Sequence, residues 1–228
     1  MYISEEIIDL VDKNLPRILD GRSNKVKKSD DSFVSDGDIL ISSLLEEYFS
    51  IKLPNHLYIS EESYPKINKW DKQKSYVFVD PIDGTENFVS GLKEWGVGVS
   101  IFTEGKHTES LIYLPELSDY QYTGLPCNNF ESRVIGLSSS LKPSDLSIYD
   151  GIDKEIRIIG CAMYNILSSV RGSFYQFENV KGVNCWDILP GINIALEHDC
   201  SVEVDGKKYD GEILFPTQKY KIKVKRNT

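Results

Sequence analysis

The sequence has no C-x-x-C pair, only three histidines, and no apolar run near the roughly 18 residues of a membrane span. The scattered histidines (His56, His107, His198) give no zinc-type spacing, so any metal here must be held by oxygen. The four cysteines, Cys127, Cys161, Cys185 and Cys200, read as reduced, mostly buried thiols in a chain of 228 residues. Basic charge is also short. Lys and Arg number 26 against 35 Asp and Glu, a formal net charge of −9 that disfavours nucleic acid as a partner. No repeat, low-complexity tract or Gly/Ser linker divides the chain, so a single domain over 1–228 is expected. The opening MYISEEIIDLVDKNLPRIL is acidic and amphipathic and does not read as a signal peptide, which makes a cytoplasmic location and no membrane partner the expectation.

What is present is an alternation of amphipathic helices and short strands. Ile7, Ile8, Leu10, Val11, Leu15 and Ile18 form a helical stripe, and DILISSLLEEYF predicts a second helix from near Asp38. LYIS (57–60), YVFVD (76–80), WGVGVSIF (95–102), ESLIYLPEL (109–117) and DYQYTG (119–124) predict strands, with turns at Glu104-Gly105 and around Ser118. Further on, EIRIIG, GSFYQFENV, CSVEV, ILFP and YKIKVKR read as strands, and CAMYNILSSV and WDILPGINIALEHD as helices. There is no strict βαβ rhythm, which favours an α+β architecture. Trp95 is expected in the core, and Tyr113, Tyr120, Tyr122 and Tyr175 on sheet faces.

The chemistry concentrates in carboxylates. VFVDPIDGTENF puts Asp80 and Asp83 three residues apart at a strand end, where they repel unless a proton or a cation lies between them. Pro81 stiffens the turn, Gly84 lets backbone approach a ligand, and Thr85 opens a short helix whose free N–H groups suit a phosphate. Mg²⁺, a hard cation held by a few carboxylates plus substrate phosphate, fits that set. An Asx-type turn would also use an aspartate here. SEES (60–63) brings Glu61 and Glu62 to another strand end, and CWD (185–187) puts Asp187 at a helix start, where capping is the commoner use of Asp. Pro190 is read as lying in the first turn of that helix.

In this order, SEES, VDPIDGTENF and GVNCWD resemble the inositol monophosphatase family of metal-dependent, lithium-sensitive phosphatases. KSDDSFVSDGD (28–38) is similar to a pattern of its nucleotidase and histidinol-phosphatase branches. RVIGLSSS (133–140) matches weakly, and IIGCAMYN (158–165) resembles the family's G-S-A turn.

The resemblance implies a five-layer αβαβα sandwich, usually dimeric, and a Mg²⁺-dependent phosphomonoesterase for a small phosphorylated metabolite. It implies two or three Mg²⁺ ions, with Mn²⁺ as a substitute and Li⁺ as inhibitor. Glu61, Asp80 and the Ile82 carbonyl would hold the first ion, with a weaker third near Glu61. Asp80, Asp83 and Asp187 would hold the second. Glu61 and Thr85, helped by Asp38, would orient and deprotonate water. Asp83, Gly84, Thr85, Ala162 and Asp187 would contact substrate, and Lys28 stands where it could reach phosphate. An inositol or sugar phosphate, a 3′(2′),5′-bisphosphorylated nucleotide and histidinol phosphate are all open as substrates. A binding protein associated with RNA machinery that keeps the fold is the alternative of another class.

Departures from the pattern spare every ligand. Ser60, Ser35, Gly37 and Lys93 replace the usual Gly, Thr, Ala and Pro, and WDILPG replaces W-D-x-A-A-G. The rim is less familiar. A glycine-rich hairpin with a G-x-G-A signature is missing after YTGLPCNN, and YKIKVKRNT stands where relatives often carry a helix. Glu178 is the nearest candidate for the family's sugar-contacting acid.

Overall fold

The computed structural model describes residues 2–28, 33–65, 67 and 69–227; Ser29, Asp30, Asp31 and Ser32 of the KSDDSFVSDGD segment lie outside them. In chain order the elements are α1 (Ile3–Asp20), β1 (Lys25–Lys27), β2 (Phe33–Ser35), α2 (Asp36–Lys52), β3 (Leu57–Ser60), β4 (Tyr76–Asp83) and α3 (Thr85–Val89). Then come β5 (Gly96–Thr103), β6 (Lys106–Leu114), β7 (Asp119–Tyr122), β8 (Val134–Leu137), β9 (Glu155–Ile158) and α4 (Ala162–Val170). β10 (Gln176–Val183), α5 (Cys185–Glu197), β11 (Cys200–Val204), β12 (Lys207–Lys208) and β13 (Tyr220–Arg226) complete the chain.

β3-β4-β5-β6-β7 make a five-stranded sheet and β12-β11-β13-β10-β8-β9 a six-stranded one. The first sheet is buried on both faces, which is why β4 and β5 read as continuous apolar runs and not as alternation. Val77, Val79, Val97 and Leu111 meet Ile7, Val11, Ile41 and Leu45 of α1 and α2. On the other face, Tyr76, Phe78 and Ile112 pack with Met163, Ile166, Ile188 and Ile192 of α4 and α5. Those helices rest in turn on Phe177, Val202, Ile222 and Val224 of the second sheet. Each such side chain contributes about 1.5–3 kcal/mol by leaving water.

The fifth layer of the sandwich is reduced. The crossover from β8 to the parallel β9 carries only a 3₁₀ segment, Pro143–Tyr149. Tyr149 donates to Glu178 Oε2 at 3.1 Å on the face of β10 that the core side chain Phe177 does not share.

Several expectations are corrected. β4 runs to Asp83 and does not stop at Asp80, because a register shift between Asp80 and Asp83 absorbs Pro81 and the strand then rejoins β5 opposite Gly96. β6 ends at Leu114, where Pro115 begins a 3₁₀ turn instead of a strand reaching 117. The strand predicted at GSFYQFENV begins only at Gln176. ILFP is buried but is no strand: the Tyr220 hydroxyl donates to Phe215 O at 2.8 Å and accepts from Phe215 N at 3.1 Å, replacing a neighbouring strand. Pro190 falls in the second turn of α5, since the helix starts at Cys185, and a Cβ at Gly98 would lie 3.0 Å from its ring. The turns at Glu104-Gly105 and Ser118 are present, with φ of 50°, 81° and 50°. Trp95 is fully buried and donates to Glu116 at 2.7 Å.

Candidate active site

Glu61, Asp80 and Asp187 converge, each offering a carboxylate oxygen within 4.8 Å of the others. Three separate elements deliver them. Glu61 follows β3, whose parallel pairing with β4 aligns Ser60 with Val79 beside Asp80. Asp187 comes from the first turn of α5. There it also caps, accepting from Asn184 N at 3.0 Å, so the capping role and the convergence hold together.

Asp80 is the anomaly. Its side chain is buried, and neither oxygen has a hydrogen-bond donor among the described residues. A buried, partnerless carboxylate is costly, and this one is pushed well above the usual carboxylate range by burial and by the nearby Glu61 and Asp187 charges. Asp187 is raised in the same way, by burial first and then by Glu61 and Asp83. Burial raises Glu61 to about 7 although Lys28 opposes the shift.

Asp83 stands apart from that trio. Its Oδ2 accepts from Met163 N at 2.5 Å and Cys161 Sγ at 3.0 Å, tying it to the N-terminus of α4. Burial still raises it, against those hydrogen bonds. Gly84, at φ 82°, caps α3 in the left-handed region that glycine tolerates. A Cβ there would come 3.0 Å from Cys161 Cβ, so the DGT turn sits directly against α4.

Thr85 links two of the predicted residues. Its Oγ1 lies 3.3 Å from Asp38 Oδ1 and 3.0 Å from the Ile82 carbonyl. Asp38 is held by Ser35, whose N and Oγ donate to Oδ2 at 2.8 and 2.6 Å while Oγ accepts from Asp38 N at 3.3 Å. Burial raises Asp38 to about 6, with the Ser35 bonds working the other way.

Lys28 faces carboxylates: its Nζ donates to Glu61 Oε1 at 2.9 Å and Glu62 Oε1 at 2.7 Å. Burial works against its charge, but those two partners hold its pKa above the ordinary lysine value. Ala162 lines a cavity of about 230 Å³ beside Asp83 and Asp187. Glu178 does not reach it; Tyr149 and Lys223 hold that side chain on the outer face of the second sheet.

Sequence reading missed the thiol of Cys161 on Asp83, and it missed Ser138–Ser140, Asn179 and Lys219 in the cavity wall. The serines lay in the weak RVIGLSSS match. Lys219 lies in a stretch with no pattern to single it out.

The sequence pattern of the inositol monophosphatase family matches residues 3–215. The chain belongs to that family. Inositol monophosphatase 1 of Rattus norvegicus is 28% identical over 81% of this chain and 76% of its own length. The putative Nus factor SuhB of Neisseria meningitidis serogroup B (strain MC58) is 33% identical over 75% of this chain and 72% of its own. The 3′(2′),5′-bisphosphate nucleotidase CysQ of Haemophilus influenzae is 28% identical, but over only 47% of this chain and 40% of that protein. Among solved structures, the IMPase of Thermotoga maritima superposes with a TM-score of 0.77 at 23% identity, covering 96% of this chain and 89% of that one. An IMPase/NADP phosphatase solved with Mg²⁺ and phosphate gives 0.77 at 19% identity, covering 96% and 87%. The sandwich architecture is therefore that of inositol monophosphatases. No helix among the described residues is long and apolar enough to cross a membrane.

Proposed function

We propose that this family member is a Mg²⁺-dependent phosphomonoesterase acting on a small phosphorylated metabolite. One observation carries the reading: Asp80, buried between two other carboxylates, has two oxygens and, among the described residues, no donor for either. Hard oxygen ligands around an uncompensated charge suit a divalent cation better than any other partner. Glu61, Asp80 and the Ile82 carbonyl would hold one Mg²⁺, and Asp80, Asp83 and Asp187 a second, with Asp80 shared. A third ion near Glu61 would compete with Lys28 for that carboxylate. When bound, magnesium supplies Lewis-acid charge for attack of water at phosphorus and for departure of the ester oxygen.

The chain's own groups do the rest. Glu61, held by Lys28 Nζ at 2.9 Å, is placed to orient the attacking water and take its proton. The single hydroxyl hydrogen of Thr85 goes to Asp38 or to the Ile82 carbonyl. Either choice leaves an Oγ lone pair to receive a hydrogen from the attacking water. Gly84 and Thr85 N–H groups would hold the phosphate, and Ala162 would face the organic part. The assay is phosphate release from a panel of inositol phosphates, bisphosphorylated nucleotides, histidinol phosphate and sugar bisphosphates. Turnover that needs Mg²⁺ and is inhibited by Li⁺ at the millimolar scale is expected; none on any substrate overturns the reading.

A cytoplasmic homodimer is part of the same proposal. The likeness to SuhB favours one second reading, a Nus-factor-type partner role on the same fold. Co-purification with transcription components from a protein that turns over no phosphate ester would favour it.

A further inference from the structure

α5 carries Asp187 in its first turn and lies between the two sheets, where most of its contacts are apolar. Ile188, Leu189, Ile192, Ile194 and Ala195 are fully buried in one cluster. Such contacts are non-directional, so they hold the helix in its layer without fixing its height along the sheet. Directional ties are few. Apart from the cap at Asp187, α5 makes side-chain hydrogen bonds to other described residues only through Asn193 and Glu197. Glu197 lies in the last turn, where it accepts from Gly124 N at 2.9 Å.

Asn193 is buried, and both ends of its amide are held. Nδ2 donates to Ser100 Oγ of β5 at 3.1 Å, and Oδ1 accepts from the Tyr209 hydroxyl at 2.9 Å. Neither partner depends on it. Ser100 Oγ also lies 2.9 Å from Ser110 Oγ, and Tyr209 has a second acceptor in Glu212 O at 3.0 Å. Local hydrogen-bond satisfaction therefore does not demand an asparagine, since a leucine of similar shape would orphan neither hydroxyl.

The same strand and helix meet again nearer the carboxylates. Gly98 shares the face of Ser100, and a Cβ there would lie 3.0 Å from Pro190 Cγ. Gly98 is also the residue paired with Asp80. From the Ser100–Asn193 contact, the Asp80 pair lies two residues back along β5, about 7 Å. Asp187 lies six residues back along α5, about 9 Å. One contact thus sets the relative height of both carboxylates. A slip of α5 by one residue would move Asp187 by about 1.5 Å and swing it by about 100°. That would scatter oxygens that now lie within 4.8 Å of one another.

We propose that Asn193, gripping Ser100 on one side and Tyr209 on the other, is a positioning residue that sets the height of α5 and so brings Asp187 to Asp80. This rests on the reading of the carboxylate group as a Mg²⁺ site.

The test uses the full chain and follows Mg²⁺ binding by calorimetry, without turnover. Asn193→Leu should bind Mg²⁺ about tenfold more weakly, the scale of losing a group that orients a metal ligand. Ser100→Ala should weaken binding by about threefold or more, and it carries the test if Asn193→Leu does not fold. The double variant should bind no more weakly than Asn193→Leu alone. Ile192→Val loosens the same helix away from the contact, so it should lower Tm and leave Mg²⁺ binding within about twofold of wild type. Unchanged binding in Asn193→Leu, losses that add in the double variant, or an equal loss in Ile192→Val overturns the assignment. If the wild type binds no Mg²⁺, the metal reading fails, and the positioning role is decided in the metal-free protein by the indole ¹H–¹⁵N signal of Trp186, the neighbour of Asp187. A signal displaced in Asn193→Leu supports it, and a superimposable one refutes it.

Discussion

Replacing Asp80 with Asn should stabilise the metal-free protein while destroying its response to Mg²⁺. Glu61 and Asp187 lie within 4.8 Å of Asp80, and two unit charges at that distance repel by about 3.5 kcal/mol at an effective dielectric of 20. Proton uptake by the cluster relieves part of this, and the asparagine amide adds a further donor among the carboxylates. A net gain of about 3 kcal/mol at pH 8 follows, or about 6–12 °C in Tm for a chain of this size.

The pH dependence fixes the sign. Glu61 and Asp38 have folded pKa values of about 7 and about 6, above their ordinary 4.5 and 3.8. The folded state binds more protons than the unfolded one across that window. The contribution of these two carboxyls to stability in EDTA is therefore complete below their ordinary pKa values and is lost as pH rises through about 6 and 7. The Asn variant should gain over wild type at pH 8 and much less at pH 5, where the wild-type carboxylates are already protonated. Differential scanning fluorimetry with EDTA or with Mg²⁺ reads all of this. A variant that melts lower than wild type in EDTA at pH 8, or that still rises in Tm with Mg²⁺, refutes the reasoning.

Asp83→Asn should fold normally, because its remaining carbonyl oxygen can still accept from Met163 N, yet lose more than the roughly 10–100-fold in activity of an outer-shell change. Near-normal turnover with an unchanged melting curve would contradict its assignment as a ligand. Thr85→Val removes the hydroxyl between Asp38 and the Ile82 carbonyl, and kcat should fall by roughly 10²-fold or more with KM much less affected. A proportional rise in KM alone would instead make Thr85 a binding group. Gly98→Ala would put a Cβ 2.0 Å from Met163 Cε and 3.0 Å from Pro190 Cγ. Since the proline ring cannot swing aside as the methionine can, a cost of about 1–3 kcal/mol is expected in chemical denaturation, and an unchanged midpoint would show that α4 is free to shift.

The ordered motifs let the carboxylates be read from sequence because each falls where a strand or helix ends, and those ends are marked by local signals: Pro81 and Gly84 in one turn, Ser35 as a cap, Asn184 before Asp187. Partners made across long separations left no such trace. Lys28 reaches Glu61 from 33 positions away, and Cys161 reaches Asp83 from 78. The fold was legible to the level of helices and most strands. It failed where burial and pairing part company, as at ILFP, whose apolar run is satisfied by a tyrosine hydroxyl and not by a neighbouring strand. Glu178 was misjudged for a related reason: alternation along β10 decides its face, and the bulge that resets that alternation comes after it, at Asn179.

Asp80 and Asp83 began as one pair of repelling charges, but the fold treats them differently. Asp80 has no donor among the described residues, so its charge is settled by a proton or a cation. Asp83 is fastened by Cys161 and Met163, the residues on either side of Ala162 at the start of α4. That helix start also lines the cavity. A displacement of α4 therefore moves an acidic side chain of the carboxylate group and the substrate-facing wall together. In the proposed enzyme, substrate fit and metal geometry are set by one helix terminus. A variant that loosens α4 should weaken Mg²⁺ binding and substrate binding in parallel, and a loss of one without the other would separate the two roles.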